Sequence, residues 1–313
     1  MRTQLPVALL ATALACSLAT APANARARVF VASYGNDANP CTFGSPCKTF
    51  QQAHDVVDIG GEVTAIDSAD FGPINISKPV TITSPPGVES GIVPTSGNPA
   101  IQITAEGKGV VQLRGLTLDG TGGGTYGIIS TGGGPRVEII DCLIHNFSID
   151  GILLAPQFLL TSNSAIIANT VVSNNGGFGI EINPGTPFIE RGTIDHVTSG
   201  GNGQSGISIN GTNTTSFVDF TISNSVFDSN ASNGIEVQGI GNVKVEIRDS
   251  TLSNNLSWGI AVANAKVGLY ANSLAINGAA FSNSSGTIFS FGNNNMENNG
   301  GAPTGTLTPV TGQ

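Results

Sequence analysis

The chain has 313 residues, with 42 glycines, only 11% charged residues and a formal net charge of −9. Lys and Arg number 12, which argues against a nucleic-acid partner, because phosphate binding needs a concentrated basic face. The hydrophobic content of 39% argues against a disordered low-complexity chain. The acidic balance would also repel an anionic polymer unless local basic groups or a bridging cation offset it.

The first 25 residues have the pattern of a signal peptide. Arg2 gives a positive start, an apolar run follows from Leu5 to Thr20, and Ala23-Asn24-Ala25 forms a small-x-small cleavage site. The run is too short for a good membrane span, and no later stretch of the sequence reaches about 18 apolar residues. We therefore expect a secreted or periplasmic protein whose mature chain has no transmembrane segment.

Residues 26–60 are predicted to form an N-terminal segment that ends in a capping helix. Cys41 and Cys47 bracket a short loop with glycine and proline, so a Cys41–Cys47 disulfide is expected as a structural staple. Within Lys48–Asp58 the apolar side chains of a helix would fall on one face. Such a helix would cover the exposed sheet edge where a stack of strands begins.

Residues 61–291 contain an internal repeat. A Gly-Ile pair recurs with a mean spacing of about 26 residues, at Gly127, Gly151, Gly179, Gly206, Gly234 and Gly259. Short runs of alternating polarity predict strands, and the Gly, Asn and Ser between them predict tight corners. The pattern predicts an all-β, single-domain parallel β-helix whose coils stack about 4.8 Å apart. Residues 292–313, rich in Gly, Asn, Thr and Pro, are predicted to form a flexible tail.

The N-terminal stretch Val29–Ala53 contains a strand-like run, a Gly-x-Asp-x-x-Pro turn from Gly35 to Pro40, and the helix pattern. With the Gly-Ile and Asn-rich corners, it resembles secreted bacterial right-handed parallel β-helix proteins of the pectin-lyase-like superfamily, over residues 29 to about 291. The resemblance implies a right-handed coil with a short N-terminal capping helix. It implies little about activity, because that superfamily includes lyases, hydrolases, epimerases, phage tailspikes and non-catalytic surface proteins.

The segment Thr193–Asn202 contains the pair Asp195-His196, which looks like part of an active site. When the coils are aligned, Asp195 is predicted to join a column of corner residues: Asp141, Asn169, Asp195, Asn224, Asp249 and Asn272. His196 then joins the column Cys142, Thr170, His196, Ser225, Ser250 and Ser273. The stretch Thr193–His196 also resembles the end of a Trp-Ile-Asp-His motif of pectate lyases, with Thr193 in place of the aromatic residue. A structural corner and a catalytic role for His196 are both open at this stage.

A second column lies five residues before the predicted corner and reads Arg136, Ser164, Glu190, Asp219 and Lys244. It would place the carboxylates of Glu190 and Asp219 about 5 Å apart on adjacent coils. Such a pair would raise one pKa or hold Ca²⁺, the one cofactor the sequence suggests, with Arg191 and Lys244 as ligand-binding neighbours. The alternative is that the loop before Glu190, with two prolines, shifts the register by one residue and turns a side chain to the other face.

Two functions follow as hypotheses. The first is a non-catalytic solenoid that contacts an extracellular or cell-surface polysaccharide, with Trp258 either stacking on a sugar ring or plugging a corner. The second is a lyase acting on uronic-acid polymers through Glu190, Asp219 and His196, or with Lys244 or Arg248 as the base. The sequence favours the first, because its few charged residues look scattered rather than gathered on one face.

Overall fold

The structure is a computed structural model that describes residues 26–157, 162–185, 189–213, 215 and 217–310. The predicted signal peptide, residues 1–25, lies outside the described residues. The described chain forms a parallel β-helix with three sheets along one body. Each coil contributes one strand to each sheet in turn, which confirms the predicted fold class.

The first sheet, sheet 1, is the longest. Within the described ranges it has 12 strands: Arg28–Val31, Glu62–Ala65, Val80–Thr83, Val110–Arg114, Arg136–Ile140, Ser162–Ala168, Ile189–Asp195, Val218–Ser223, Val243–Arg248, Lys266–Tyr270, Thr287–Ser290 and Leu307–Pro309.

The other two sheets follow sheet 1 around each coil, and each has nine strands among the residues described. Sheet 2 contains Ala69–Asp70, Ser90–Ile92, Leu116–Asp119, Leu143–His145, Val171–Ser173, Thr198–Gly200, Val226–Asp228, Thr251–Ser253 and Ser273–Ala275. Sheet 3 contains Ile74–Ile76, Ile101–Ile103, Ile128–Ser130, Ile152–Leu154, Ile180–Ile182, Ile207–Asn210, Ile235–Gln238, Trp258–Ala263 and Ala279–Asn283.

The interior is a narrow stack of aliphatic side chains. In the last sheet 1 strand with full alternation, Val243, Val245 and Ile247 are buried, whereas Lys244 and Arg248 are exposed. A period of two sends successive side chains to opposite faces, so the apolar half of each strand faces inward. Each fully buried aliphatic side chain contributes about 1.5–3 kcal/mol, which explains why the stack is stable although a single coil would not be.

The Gly-Ile pairs mark the start of the sheet 3 strands. Ile207, Ile235 and Ile260 are in register on successive coils and are fully buried. The glycine before each is required by the close approach of the coils. A Cβ on Gly234 would lie 2.7 Å from the carbonyl oxygen of Gly259. The repeat pairs a stacking isoleucine with a glycine for this steric reason.

The corner between sheets 1 and 2 is a single residue in the left-handed region. Six of these have φ between 49° and 56°: Asp141, Asn169, His196, Asn224, Asp249 and Ala271. The predicted column was wrong at two members, because His196 stands where Asp195 was expected and Ala271 where Asn272 was expected. Asp195 is the last residue of its strand and is in register with Ser223.

Two buried polar columns hold successive coils together. After the first corner, backbone N–H groups donate to side-chain oxygens on the next coil, at Thr170, Ser225, Ser250, Asn272 and Asn294. Val197 stands in this column where His196 was expected, and Asn272 where Ser273 was expected. Between sheets 2 and 3 an asparagine ladder does the same, at Asn175, Asn202, Asn230, Asn255, Asn277 and Asn299. Both columns satisfy backbone groups that a corner would otherwise leave unpaired inside the protein.

The N-terminal cap forms as predicted. The helix Phe50–Val56 begins after Thr49, whose Oγ1 accepts from the backbone N–H of Gln52. Phe50 and Ala53 are fully buried. The predicted disulfide joins Cys41 and Cys47, with 4.6 Å between their Cα atoms.

The prediction of a flexible tail from residue 292 was wrong for the residues that the structure describes there, 292–310. Leu307–Pro309 pairs in parallel with Thr287–Ser290 as a further strand of sheet 1. Asn294 and Asn299 extend the two buried polar columns by one more coil. The polar segment is ordered because its asparagines accept hydrogen bonds from the backbone N–H groups of Asn272 and Asn277 on the preceding coil.

Candidate functional site

The outer face of sheet 1 carries the basic side chains of the β-helix. Every Lys or Arg that lies on a described strand is in this sheet and is exposed: Arg28, Arg114, Arg136, Arg191, Lys244, Arg248 and Lys266. Five carboxylates share the face: Glu62, Glu138, Asp195, Asp219 and Glu246. The expectation of scattered charges was therefore wrong, because the coil register gathers them on one of three faces.

The predicted pair of outward carboxylates, Glu190 and Asp219, is not formed. Glu190 is in register with Val218, and Arg191 with Asp219. This is one residue away from the predicted register, and side chains alternate along a strand, so Glu190 faces the interior. Asp219 stays on the outer face, with its Oδ2 3.4 Å from Nε of Arg191. The geometry on which the calcium and acid–base predictions depended is therefore not present between these two residues.

Glu190 is an internal carboxyl group. It is 2% exposed and lies in register with Asn163, which is also buried. Its Oε2 atom has no hydrogen-bond partner among the described residues. Burial raises the pKa of Glu190 to about 8, so the group is mostly neutral at pH 7.

His196 is an exposed corner residue. Its Nδ1 lies 2.7 Å from Oδ2 of Asp195, and more than half of its side chain is accessible. Oδ1 of Asp195 accepts from Ser223 Oγ and Asn224 Nδ2. Partial burial acts to raise the pKa of Asp195. These hydrogen bonds and His196 outweigh it and hold that pKa below its usual range. The carboxylate therefore ties two coils together at the corner.

The three predicted catalytic residues do not converge. Glu190 faces inward near the start of its strand, Asp219 lies outward on the next strand, and His196 lies at the far corner. Asp195, next to His196, is in register with Ser223, which is four residues beyond Asp219. At about 3.3 Å per residue, Asp219 is therefore roughly 13 Å along the sheet from the corner at His196.

Two lysines form the most unusual charge arrangement on sheet 1. Lys244 and Lys266 are in register on adjacent strands, and both are exposed. Neither forms an ion pair with a carboxylate in the part of the chain that the structure describes. Like charges directly opposite each other in a sheet repel, so an anion bound between them would relieve the repulsion.

Aromatic rings lie at the other end of the same strands, four residues beyond the lysines. Arg248 stacks over the ring of Tyr270, with 5.6 Å between its Cζ and the ring centroid. Tyr270 in turn stacks on Phe291, with centroids 4.0 Å apart. We define Lys244, Arg248, Lys266, Tyr270 and Phe291 as the basic–aromatic patch.

Within this patch, the sequence indicated Lys244 as a ligand-binding residue and Arg248 as a possible base. Lys266 and the two aromatic residues were missed. A signal was present, since Lys244–Arg248 and Lys266–Tyr270 are two similar strands separated by 22 residues. That spacing is shorter than the mean repeat, so alignment by the mean did not bring the strands together.

Glu246 is the carboxylate nearest the patch in sequence. It lies between Lys244 and Arg248 on the same strand, and its side chain folds over the backbone of Gly268. Burial raises the pKa of Glu246, while Arg248 lowers it. Only a glycine at position 268 leaves room for this carboxylate, because any Cβ there would collide with it.

Trp258, predicted as a sugar-stacking residue, is not on this face. It begins a sheet 3 strand, is partly buried, and its backbone N–H donates to Oδ1 of Asn233. Its role in ligand binding therefore remains a prediction that is separate from the basic–aromatic patch.

A cavity of about 530 Å³ opens at the other end of the sheet 1 face. Arg28 and Arg114 line it, each paired with a carboxylate, Glu62 at 2.6 Å and Asp141 at 3.1 Å. The loop Pro85–Val88 forms one wall. The sheet 1 face thus has basic groups at both ends.

Comparison with known proteins agrees with this architecture. Residues 88–222 match the family described as "Right handed beta helix region". No curated protein matches the sequence. The solved structure of the pectate lyase Pel9A superposes with a TM-score of 0.69 at 14% identity, covering 91% of this chain and 78% of that chain.

Two viral proteins share the fold more distantly. ORF18 of Geobacillus virus E2 superposes with a TM-score of 0.54 at 12% identity, over 80% of this chain and 52% of that one. Tailspike protein 2 of Escherichia coli O157:H7 bacteriophage CAB120 gives 0.50 at 14%, over 81% and 42%. At these identities the likenesses show the fold alone.

The chain has a parallel β-helix fold, which it shares with a pectate lyase, and residues 88–222 match the right-handed β-helix family. In the described part of the chain, no helix has the length and apolar character needed to cross a membrane.

Proposed function

We propose that the protein binds an acidic polysaccharide, of the uronic-acid class, along the outer face of sheet 1. One observation carries the proposal: Lys244 and Lys266 are exposed, adjacent and without a carboxylate partner among the described residues. The overall net charge of −9 would repel such a polymer. The basic residues gathered on one face would attract the polymer locally in spite of the negative net charge.

The geometry of a parallel sheet suits a polymer that runs along the helix axis. Equivalent side chains repeat about every 4.8 Å from coil to coil, so one column presents charges at regular intervals. Arg191, Lys244 and Lys266 occupy one such column, with Asp219 between the first two. Each exposed ion pair contributes only about 0.2–1 kcal/mol, so useful affinity needs several contacts along the chain.

The first form of the proposal is non-catalytic binding. It is supported by the separation of Glu190, Asp219 and His196, because the three predicted catalytic residues do not converge on one point. The fold is shared with a pectate lyase and with phage proteins. Proteins of this fold therefore include more than one function, and carbohydrate binding without catalysis is compatible with it.

A polysaccharide lyase is the second candidate. It is favoured by Lys244, whose exposed and unpaired ammonium group would, once deprotonated, remove the proton α to a uronate carboxylate. Lys266, in register with Lys244, would hold that carboxylate. Neither form needs Glu190, Asp219 or His196.

We place this function outside the cytoplasm, secreted or periplasmic. The Cys41–Cys47 disulfide supports the placement, because structural disulfides persist mainly in oxidising compartments. The predicted signal peptide agrees with it.

The test is calorimetric titration of the purified protein with oligogalacturonate. Lys244→Gln/Lys266→Gln should weaken binding about tenfold or more, and raising the salt concentration should weaken it further. Lys48→Gln/Lys108→Gln removes the same charge at residues outside the strands of sheet 1 and should leave affinity within about twofold. Equal loss in both double variants would reject a specific face. Ultraviolet absorbance of the same mixtures reports unsaturated products and separates the lyase from the binder.

A further inference from the structure

The outer face of sheet 3 has a chemistry opposite to that of sheet 1. Its strands contain no Lys or Arg over the ranges that the structure describes. Carboxylates and amides occupy the outward positions on three coils: Glu181, Asn183, Asn210, Glu236 and Gln238. An acidic polymer would find no basic partner on these strands, so a ligand for this face has a different charge.

A cavity of about 480 Å³ opens on this face, a volume within the usual range for small-ligand sites. Its polar groups form a chain: Asn213 Nδ2 donates to Asn183 Oδ1 at 3.0 Å, and Asn183 Nδ2 donates to Glu181 Oε1 at 3.1 Å. Leu153 and Ala155 supply an apolar wall. The cavity thus joins a row of amide and carboxyl groups to a small apolar surface.

A second carboxyl group lies next to Glu181. Asp150 is 3% exposed, interacts with Glu181, and accepts from the backbone N–H of Phe178 at 2.7 Å. Burial, opposed by that hydrogen bond, raises the pKa of Asp150 to about 6, and burial also raises the pKa of Glu181. Two carboxyl groups this close favour sharing a proton over holding two full charges.

We propose that this cavity is a second carbohydrate subsite, one that takes an uncharged, hydroxyl-rich sugar. Amides both donate and accept, and carboxylates accept from hydroxyl groups, so the row from Asn213 to Glu181 matches a row of sugar hydroxyls. The apolar wall matches the C–H face of a sugar ring. The site is independent of the basic–aromatic patch, since it lies on a different sheet and uses none of its residues.

The repeat supplies a matched control position. Gln238 occupies the same column as Asn183, two coils further along, and donates to Glu236 as Asn183 donates to Glu181. Glu236 there is already satisfied by Ser205 at 3.1 Å. The depression beside it has a volume of only about 80 Å³, too small for a sugar ring.

The experiment is calorimetric titration of the full protein with neutral oligosaccharides of galactose, xylose and glucose, in the absence of any acidic sugar. At least one series is expected to bind. Asn183→Ala should weaken that binding about tenfold, equal to about 1.4 kcal/mol, because it removes the central amide of the row. Gln238→Ala and the Lys244→Gln/Lys266→Gln variant should leave it within about twofold.

Failure of all three series to bind would overturn the subsite, and so would equal losses in Asn183→Ala and Gln238→Ala. Binding of oligogalacturonate that is weakened by Asn183→Ala would also overturn it, by placing the acidic ligand here. Thermal unfolding of each variant confirms that it is folded. Because the acidic-ligand titration uses sheet 1 variants, failure of one proposal is distinguishable from failure of the other.

Discussion

Replacing Glu190 by glutamine is expected to stabilise the protein increasingly as the pH rises. The side chain is 2% exposed, and its Oε2 has no hydrogen-bond partner among the described residues. An ionised carboxylate in this position would lose its hydration without a compensating contact. Glutamine has nearly the same shape and does not ionise, so the substitution removes the cost of keeping the group neutral.

The size of the effect follows from the shift in pKa. Burial raises the pKa of Glu190 from its ordinary value of 4.5 to about 8 in the folded state. The folded-state pKa is the higher one. The carboxyl group's contribution to the free energy of unfolding is therefore fully present below about pH 4.5 and is lost as pH rises to about 8. Each pKa unit corresponds to about 1.4 kcal/mol, so the total loss is about 5 kcal/mol.

Equilibrium urea denaturation of wild type and Glu190→Gln at a series of pH values measures this loss. The two proteins should have similar free energies of unfolding near about pH 4, because the carboxyl group is then neutral in both states. By about pH 8 the variant should be more stable by several kcal/mol, with most of the difference gained between these values.

Asp219→Asn is the control, because Asp219 lies on the outer face in an exposed ion pair with Arg191. It should change stability by less than about 1 kcal/mol with no comparable trend across pH. A constant difference between Glu190→Gln and wild type at all pH values would refute the inward placement of Glu190. A loss of stability that grows with pH would refute it more strongly.

The remaining predictions concern the corners. Asn230→Ala should lower the free energy of unfolding by about 2–4 kcal/mol, because Asn230 accepts from Asn202 and donates to Asn255 inside the ladder. Urea denaturation should show a loss below about 1 kcal/mol for the control Asn210→Ala, whose hydrogen bonds from Thr212 lie at the surface. His196→Asn should keep stability within about 0.5 kcal/mol, since asparagine readily adopts the left-handed conformation seen at φ 53°. If titration with oligogalacturonate then showed a large loss of affinity, His196 would be a binding residue rather than a corner.

The fold could be predicted because its signals are local. The Gly-Ile pair marks a strand start wherever coils approach closely, and alternation such as that from Val243 to Arg248 reports which side chains face inward. The capping helix and the disulfide were also local patterns. The asparagines at positions 294 and 299 carried the same kind of signal, since each follows an asparagine of the two buried polar columns by 22 residues, but their polar surroundings suggested a tail.

The candidate site could not be predicted in full because it depends on register between coils of unequal length. A shift of one residue moved His196 into the corner and turned Glu190 inward. The basic–aromatic patch brings Lys244 and Lys266 together across a coil shorter than the average. Composition alone made the charges look scattered, because it contains no information on which coils align.

A crystal structure of the protein with trigalacturonate would test the central claim most directly. The account predicts ordered ligand on the outer face of sheet 1, with a uronate carboxylate within hydrogen-bonding distance of both Lys244 and Lys266. Ligand ordered on sheet 2 or sheet 3, or a sheet 1 face left empty at saturating ligand, would contradict it.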